Sequence, residues 1–153
     1  MIEFISDPER KKEIASAILY ALPDWFGIPE STRSYIEGCA ALPFWAYRGE
    51  DGACAGFIAL RETSPYAAEI FVMGVLPELH RKGVGRRLFL AFHEYAKARG
   101  YAFLHVKTVD AGLFAEYDRT RLFYESLGFQ KLEVFPTLWD ERNPCLVMVM
   151  HIG

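Results

Sequence analysis

The chain has 153 residues, the size of one domain with a substantial core. Apolar residues make up 52% of the chain and charged residues 24%, a composition typical of a globular protein and not of a disordered one. The net charge of −3 argues against general binding to nucleic acid or to an anionic membrane, because both need a basic surface. We therefore expect neither nucleic acid nor a membrane as partner.

Cysteine and histidine usage argues against disulfides and metal. The three cysteines form no CxxC pattern, so neither a disulfide framework nor a zinc site is expected. The four histidines show no metal-ligand spacing either. No signal peptide is visible, and the longest apolar run, Cys39 to Tyr47, is broken by Pro43 and too short to span a bilayer. The sequence thus favours a cytoplasmic protein without a metal.

The first third of the chain predicts two helices after a short edge strand at residues 2–6. Apolar residues recur at helical spacing from Pro8 to Leu22, with Ser6 or Asp7 as the N-cap and Pro23 as the stop. Punctuation by proline and glycine predicts a loop at residues 23–29. A second helix is expected from about Glu30 to Ala40.

The middle of the chain predicts three strands. Two of them, Phe44–Arg48 and Cys54–Arg61, flank a hairpin turn at residues 49–52. A long apolar run, Ala67–Leu76, has the character of a central strand.

The last part alternates helices and strands. The predicted elements are a helix over Gly83–Arg99, a strand over Tyr101–Val109, a helix over Tyr117–Leu127, and strands over Phe129–Phe135 and Cys145–Ile152 joined by a loop, Pro136–Pro144. No linker or repeat interrupts the chain, so residues 1–153 are expected to form a single domain. The order predicts a mixed α/β fold with a central sheet of six or seven strands and about four helices.

A basic, glycine-containing turn follows the central strand. Gly83 and Gly85 stand where a helix begins, and helix N-termini offer free N–H groups and a positive dipole end to a phosphate. Four cations lie within seven residues of this otherwise acidic chain: Arg81, Lys82, Arg86 and Arg87. The segment predicts a local anion site.

Other interpretations of the turn remain open at this point. The P-loop pattern is absent, and Leu88 stands where a dinucleotide-binding turn needs its third small residue, although Asp110 imitates the ribose-binding acid of such a fold. A nicotinamide-dependent reductase is therefore a minor alternative. A further interpretation involves no ligand: the glycines only permit the backbone turn at the start of the helix, and the basic residues form a solvent-exposed face.

Two segments resemble signatures of the GNAT superfamily of N-acetyltransferases. His80-Arg81-Lys82-Gly83-Val84-Gly85 is similar to its Q/R-x-x-G-x-G/A turn, except that His80 replaces the usual Gln or Arg. Arg121–Phe129 is similar to its (F/L)-Y-x-x-x-G-F segment. The resemblance implies a GNAT fold and acetyl-CoA as cosubstrate, with its pyrophosphate held by the turn. The residues implied in cofactor binding are Met73, Gly74, Val75, His80, Arg81, Lys82, Gly83, Val84, Gly85, Arg86 and Phe123.

The resemblance also implies catalytic roles. Tyr124 corresponds to the tyrosine that protonates the departing CoA sulfur, although an ordinary packed tyrosine is the alternative. Glu69, eleven residues before His80, matches the spacing of a catalytic glutamate in the histone-acetylating branch and is the candidate base. The alternative is a solvent-facing glutamate, since many members of the family use a water chain or a different carboxylate as the base. A backbone amide of the central strand, that of Val75, is implied as the donor to the acetyl oxygen, with a bulge at Gly74.

The resemblance implies that the acceptor side is formed by the first two helices and the last strands. Trp25, Phe26 and Tyr35 are the candidate substrate residues, and nearby acids would suit a cationic amine: Asp24, Glu30, Glu37, Asp140 and Glu141. The alternative is that the aromatics are core and the acids solvated surface. Cys145 is expected to be a buried filler.

Two functions from different classes remain. The first is an enzyme that acetylates a primary amine of a small molecule or peptide by direct attack in a ternary complex. The second is a non-catalytic acyl-CoA-binding regulatory or interaction domain on the same scaffold. The resemblance also allows a homodimer formed through an exposed final strand. The sequence does not define the acceptor, the acyl-chain preference or the oligomeric state.

Overall fold

The computed structural model describes residues 1–110, 115–140 and 143–153. The helices in these residues are α1 (Pro8–Leu19), α2 (Pro29–Cys39), α3 (Val84–Ala98) and α4 (Ala115–Leu127), with a short 3-10 turn at Pro77–Leu79. The strands are β1 (Ile2–Phe4), β2 (Phe44–Arg48), β3 (Cys54–Ser64), β4 (Ala67–Val75), β5 (Phe103–Val109), β6 (Gln130–Asp140) and β7 (Asn143–His151). None of the helices in these ranges has the length and apolar character needed to cross a membrane.

The strands pair in the order β1-β2-β3-β4-β5-β7-β6. The β4–β5 pairing is parallel, over the three pairs from Ala67↔Phe103 to Glu69↔His105. β2 is antiparallel to both β1 and β3, and β7 is antiparallel to both β5 and β6. The predicted mixed sheet of six or seven strands with about four helices is therefore confirmed.

The contacts divide the chain into two compact units. Unit 1 contains residues 1–61 and 70–99, and unit 2 contains residues 62–69 and 100–153. The chain passes from one unit to the other within β3 and again within β4.

Unit 1 is built around the apolar faces of α1 and α2. Ile14, Ile18 and Leu19 of α1 and Cys39 of α2 are buried in a cluster with residues of β2, β3 and β4. Lys11 is also buried, and its ammonium donates to the carbonyl oxygens of Ala40 at 3.4 Å and Leu42 at 2.7 Å. A cation thus satisfies backbone oxygens where α2 ends.

Unit 2 has β7 between β5 and β6. Full antiparallel pairing runs from Phe103↔His151 to Val109↔Cys145. The final strand is therefore an inner strand, and the expectation that it is exposed is wrong. β6 ends the strand order instead, and its large apolar side chains are exposed: Leu132, Val134, Phe135, Leu138 and Trp139.

Several predicted boundaries differ from the structure: β3 extends three residues beyond its predicted end at Arg61, and α1 and the segment between β6 and β7 also differ. α1 ends at Leu19, because Ala21 and Leu22 donate to carbonyls three residues back and the residue before Pro23 disfavours the helical conformation. The predicted loop Pro136–Pro144 is partly strand, since β6 reaches Asp140 and β7 begins at Asn143. A proline is tolerated in β6 because an edge strand need not donate from both sides. Residues 141–142, including the acid Glu141, lie outside the described residues, as does the side chain of Asp140.

Candidate functional site

The basic turn leads from β4 to α3 through two left-handed residues. After the 3-10 turn, Arg81 has φ 64° and Gly83 has φ 81°. Left-handed backbone is unfavourable for arginine, and such outliers concentrate at functional sites. Apart from its chain neighbours, no heavy atom of the described residues would lie within 4 Å of a Cβ added at Gly83. The turn is therefore open on the side towards which a Cβ at Gly83 would project.

The first turn of α3 contains no acidic residue. Its N-cap is Gly83, which has no side chain to accept from the first N–H groups, and its first turn contains Arg86 and Arg87 instead of an acid. α1 differs, because Asp7 accepts from the backbone N–H of Glu9 and Glu9 adds a negative charge there. The positive charges of these residues add to the positive end of the helix dipole, and an anion bound there would stabilise both. This end of α3 therefore favours an anion.

The His80 ring lies at the base of the turn. Its Nε2 is 2.7 Å from the carbonyl oxygen of Val75, the last residue of β4. The ring also packs edge-on against Trp25, with centroids 5.6 Å apart. The structure thus brings together three residues that the sequence assigned to cofactor and acceptor.

Gly74 allows α1 to approach β4 closely. A Cβ at this position would lie 3.0 Å from Ile18 Cγ2 and 3.2 Å from Leu22 Cδ1. Close helix–strand packing accounts for the glycine, whereas the bulge predicted from it stays a prediction. Met73, its neighbour in β4, is half-buried.

The aromatic candidates for the acceptor side form a chain of edge contacts in unit 1. Phe26 packs on Tyr35 at 6.0 Å, and Tyr35 packs on Phe71 at 5.4 Å. Together with Trp25 they are half-buried against the core. Arg61 lies over the ring of Phe71 at 4.9 Å, so this cluster contains a cation that the sequence analysis did not consider.

Three of the acids proposed to accompany these aromatics have described side chains, and these lie at the surface. Asp24 and Glu30 are exposed, and Glu37 pairs with Lys12 at 3.6 Å. An acidic lining of the aromatic cluster therefore stays a prediction.

Glu69 is a buried carboxylate in unit 2. Only 3% of the residue is exposed, and its Oε2 accepts from Lys107 Nζ at 2.6 Å. The alternative of a solvent-facing glutamate is therefore wrong. Sequence reasoning missed Lys107, although it lies on the same face of β5 as His105, the register partner of Glu69. The proximity of Lys107 to Glu69 follows only from the register between β4 and β5, which the sequence alone does not give.

Tyr124 lies in unit 2, in the last two turns of α4, and is 7% exposed. Its ring packs edge-on against Phe129 at 5.9 Å, and the Phe129 N–H donates to the Tyr124 carbonyl at 3.1 Å. Phe123, half-buried beside it, has its ring centroid 5.8 Å away. Aromatic packing thus holds the ring of the predicted acid.

Cys145 is fully buried, as predicted. Burial raises the pKa of its thiol, Lys107 lowers it and Glu69 raises it further. A neutral buried thiol is a poor nucleophile. Among the residues that the structure describes, no three His, Cys, Asp or Glu side chains are grouped so that they could hold a metal ion.

The family is decided by a match over residues 40–131, which fit the family model described as "Acetyltransferase (GNAT) domain". The chain belongs to the GNAT family. The match covers the central strand, the basic turn and the segment around Tyr124, the three regions whose geometry is given above.

Relatives agree with this assignment, and a solved structure shares the fold. The chain is 34% identical over 103 residues to an uncharacterized N-acetyltransferase, YsnE, of Bacillus subtilis, covering 67% of this chain and 65% of that protein. It is 32% identical over 78 residues to N-alpha-acetyltransferase RimI of Mycobacterium tuberculosis, covering 51% of this chain and 44% of that protein. The matches thus span less than two thirds of either relative's length. An aminoglycoside 6'-N-acetyltransferase complexed with coenzyme A shares the fold, with a TM-score of 0.76, 18% identity and coverage of 100% and 97% of the two chains.

Proposed function

We propose that this GNAT protein is an acetyl-CoA-dependent N-acetyltransferase that acetylates a primary amine of a small molecule or peptide. The observation that carries the proposal is the N-terminus of α3, where left-handed Arg81 and Gly83 precede an uncapped helix start with basic residues in its first turn. Amides arranged in this way form an anion-binding nest. The family match and the relatives named as N-acetyltransferases support the acetyl transfer itself.

The residues of the turn fit the phosphates of coenzyme A. Its pyrophosphate would be held by the amides from Arg81 to Arg86, with Arg81, Lys82 and Arg86 supplying positive charge. Gly83 leaves room for a phosphate to approach the backbone closely, because none of the described residues beyond its chain neighbours would lie within 4 Å of a Cβ at this position. When bound, acetyl-CoA supplies the activated acetyl thioester.

Three groups of this chain would serve the transfer. Glu69, directly or through water, would take a proton from the acceptor ammonium, which makes the amine nucleophilic. The Val75 amide would stabilise the charge that develops on the acetyl oxygen. The Tyr124 hydroxyl, protonated at neutral pH because the reference pKa of a phenol is about 10, would protonate the departing sulfur. In this mechanism the acceptor amine attacks the acetyl thioester directly, so no side chain of the protein is acetylated as an intermediate.

The proposal that the acceptor is an amine of a small molecule or peptide is supported by the names of similar proteins. The relatives include an enzyme named for N-alpha acetylation and the fold neighbours one named for an aminoglycoside. Trp25, Phe26 and Tyr35 are proposed to contact the acceptor. We also propose that the protein works in the cytoplasm, where the thiols of Cys39, Cys54 and Cys145, all free in the structure, would stay reduced. A homodimer remains part of the proposal.

The test is calorimetric titration with acetyl-CoA, with NADPH run in parallel. Micromolar affinity for acetyl-CoA and none for NADPH is expected. An amine panel containing aminoglycosides and short peptides should then release free thiol only with an accepted amine. Absence of acetyl-CoA binding would overturn the proposal, and binding without turnover on any amine would favour a non-catalytic acyl-CoA-binding domain.

A further inference from the structure

His80 contacts three separate segments of unit 1. Its backbone N–H donates to the Pro77 carbonyl at 3.1 Å, which closes the 3-10 turn. Its ring Nε2 bonds to the Val75 carbonyl, and the ring edge packs against Trp25 in the loop between α1 and α2. One exposed side chain thereby contacts the end of β4 and the aromatic side of the unit.

The hydrogen bond to Val75 has a defined direction. A carbonyl oxygen can only accept, so Nε2 of His80 carries the hydrogen and donates it. The same peptide group is bound from its other side, because the Leu76 N–H donates to the Ala55 carbonyl at 2.9 Å. Since a peptide group is planar, bonds to both its oxygen and its N–H fix its orientation. The backbone next to the proposed Val75 amide donor is thus held by His80.

The residue after His80 is the strained one. Arg81 has left-handed backbone, a conformation that persists only where the surroundings impose it. The ring of His80 anchors the residue immediately before Arg81 to β4. Without this anchor, the turn could depart from the conformation in which Arg81 is left-handed.

We propose that His80 is a positioning residue that couples the phosphate-binding turn to the end of β4 and to Trp25. The inference rests on the proposed function. Coenzyme A bound at the turn would fix the conformation of residues 80–83, and through the His80 ring it would fix Trp25 on the acceptor side. In this chain histidine therefore does more than replace the usual glutamine or arginine of the family turn.

The test compares His80→Leu, which has no N–H donor, with His80→Gln, whose amide can donate to the Val75 carbonyl. The probe is coenzyme A, and the readouts are its Kd by calorimetry and the change in tryptophan emission on binding. His80→Leu should bind about three- to tenfold more weakly, the effect of one net hydrogen bond on the population of the competent turn. His80→Gln should restore the affinity to within about twofold of wild type.

The emission change identifies the coupling. In the wild type, coenzyme A should change the emission, and Trp25→Phe should remove most of that change. His80→Leu at saturating coenzyme A should remove it as well. His151→Leu is the matched control, since that exposed histidine also packs against an aromatic ring, Phe103 at 5.4 Å, and it should leave both readouts unchanged.

The outcomes separate the two proposals. Equal Kd values for wild type and His80→Leu would overturn the inference alone, and so would an equally weak His80→Gln, because ring packing would then account for the loss. A wild-type emission change that survives Trp25→Phe would overturn the coupling to Trp25. No coenzyme A binding by the wild type would overturn the proposed function, and this inference with it.

Discussion

At the scale of one residue, the burial of Glu69 excludes the interpretation of this side chain as a solvent-facing glutamate. A carboxylate with 3% exposure needs a partner, and Lys107 provides one at 2.6 Å. The ion pair fixes the orientation of the carboxylate in unit 2, as the role of proton acceptor proposed for Glu69 requires. Removing Lys107 would therefore leave the buried carboxylate without this ammonium, which is unfavourable at 3% exposure.

Replacing Glu69 with glutamine should lower the acetylation rate most strongly at the acidic end of the pH profile. Fewer acceptor amines are already neutral there, so the proton acceptor matters more. Rates measured by thiol release from pH 6 to 9 would check this, with Glu62→Gln as control because that exposed glutamate accepts only from Tyr101 at 2.6 Å in the described contacts. A reduction that is uniform across the profile would contradict a role for Glu69 as base.

Replacing Tyr124 with phenylalanine should lower kcat by about 10²- to 10⁴-fold, the usual range for loss of a general acid. The affinity for acetyl-CoA should change little, because the ring still packs against Phe129. Rate and Kd measured on the same preparation separate the two effects. Tyr101→Phe makes the same chemical change elsewhere in unit 2 and should leave the rate intact. An unaffected rate in Tyr124→Phe would remove this hydroxyl from the mechanism.

At the scale of elements, Gly83 and Gly52 form a natural pair. Both are left-handed, with φ 81° and 85°, and at neither would an added Cβ meet a heavy atom of the described residues within 4 Å beyond the chain neighbours. Alanine should therefore cost each about 1 kcal/mol of stability through backbone strain alone. Only Gly83→Ala should also weaken acetyl-CoA binding, by at least about tenfold, since its methyl group projects where the phosphate would approach.

Urea unfolding and calorimetry of the two alanine variants would check this prediction. Equal stability losses with a binding defect confined to Gly83→Ala are expected. If both variants kept wild-type affinity, the turn could not be the phosphate site.

How well the sequence predicts an element depends on where its determinants lie. β2 was predicted with its observed bounds, Phe44–Arg48, because a hairpin turn and local apolar residues define it. The predicted end of β6 lies five residues before the observed one, because Pro136 indicates a loop unless one knows that the strand lies at an edge. The GNAT fold followed from two local motifs, whereas the Glu69–Lys107 pair and the His80–Val75 bond depend on strand register and turn geometry that no local pattern carries.

At the scale of the whole molecule, the buried thiol of Cys39 contributes a dependence of the unfolding free energy on alkaline pH. Burial raises the pKa of Cys39 to about 12 from 9.0, and the nearby Lys11 lowers it only in part. The folded state keeps this proton between pH 9 and 12, where the unfolded chain loses it. The thiol therefore contributes stability that is complete below pH 9 and is lost as the pH rises towards 12.

Cys39→Ala should accordingly have a flatter decline in unfolding free energy above pH 9. The difference in slope between wild type and variant should approach about 1 kcal/mol per pH unit, bounded by the 1.4 kcal/mol that one pKa unit represents. Urea titrations at pH 8, 9.5 and 10.5 measure it. The loss of packing in the variant is independent of pH and shifts only the level, not the slope. Parallel curves would show that Cys39 is not protected from ionisation.

The division of the chain into two units has a consequence for the order in which a ribosome completes them. Unit 1 needs residues 1–61 and 70–99, so its last residue is Arg99. Unit 2 needs residues 62–69 together with everything from Gly100 onward, so the start of β4 must wait for β5 before its parallel partner exists. All residues of the unit with the basic turn are therefore synthesised before Gly100, whereas the unit with Glu69 and Tyr124 also needs residues that are made later.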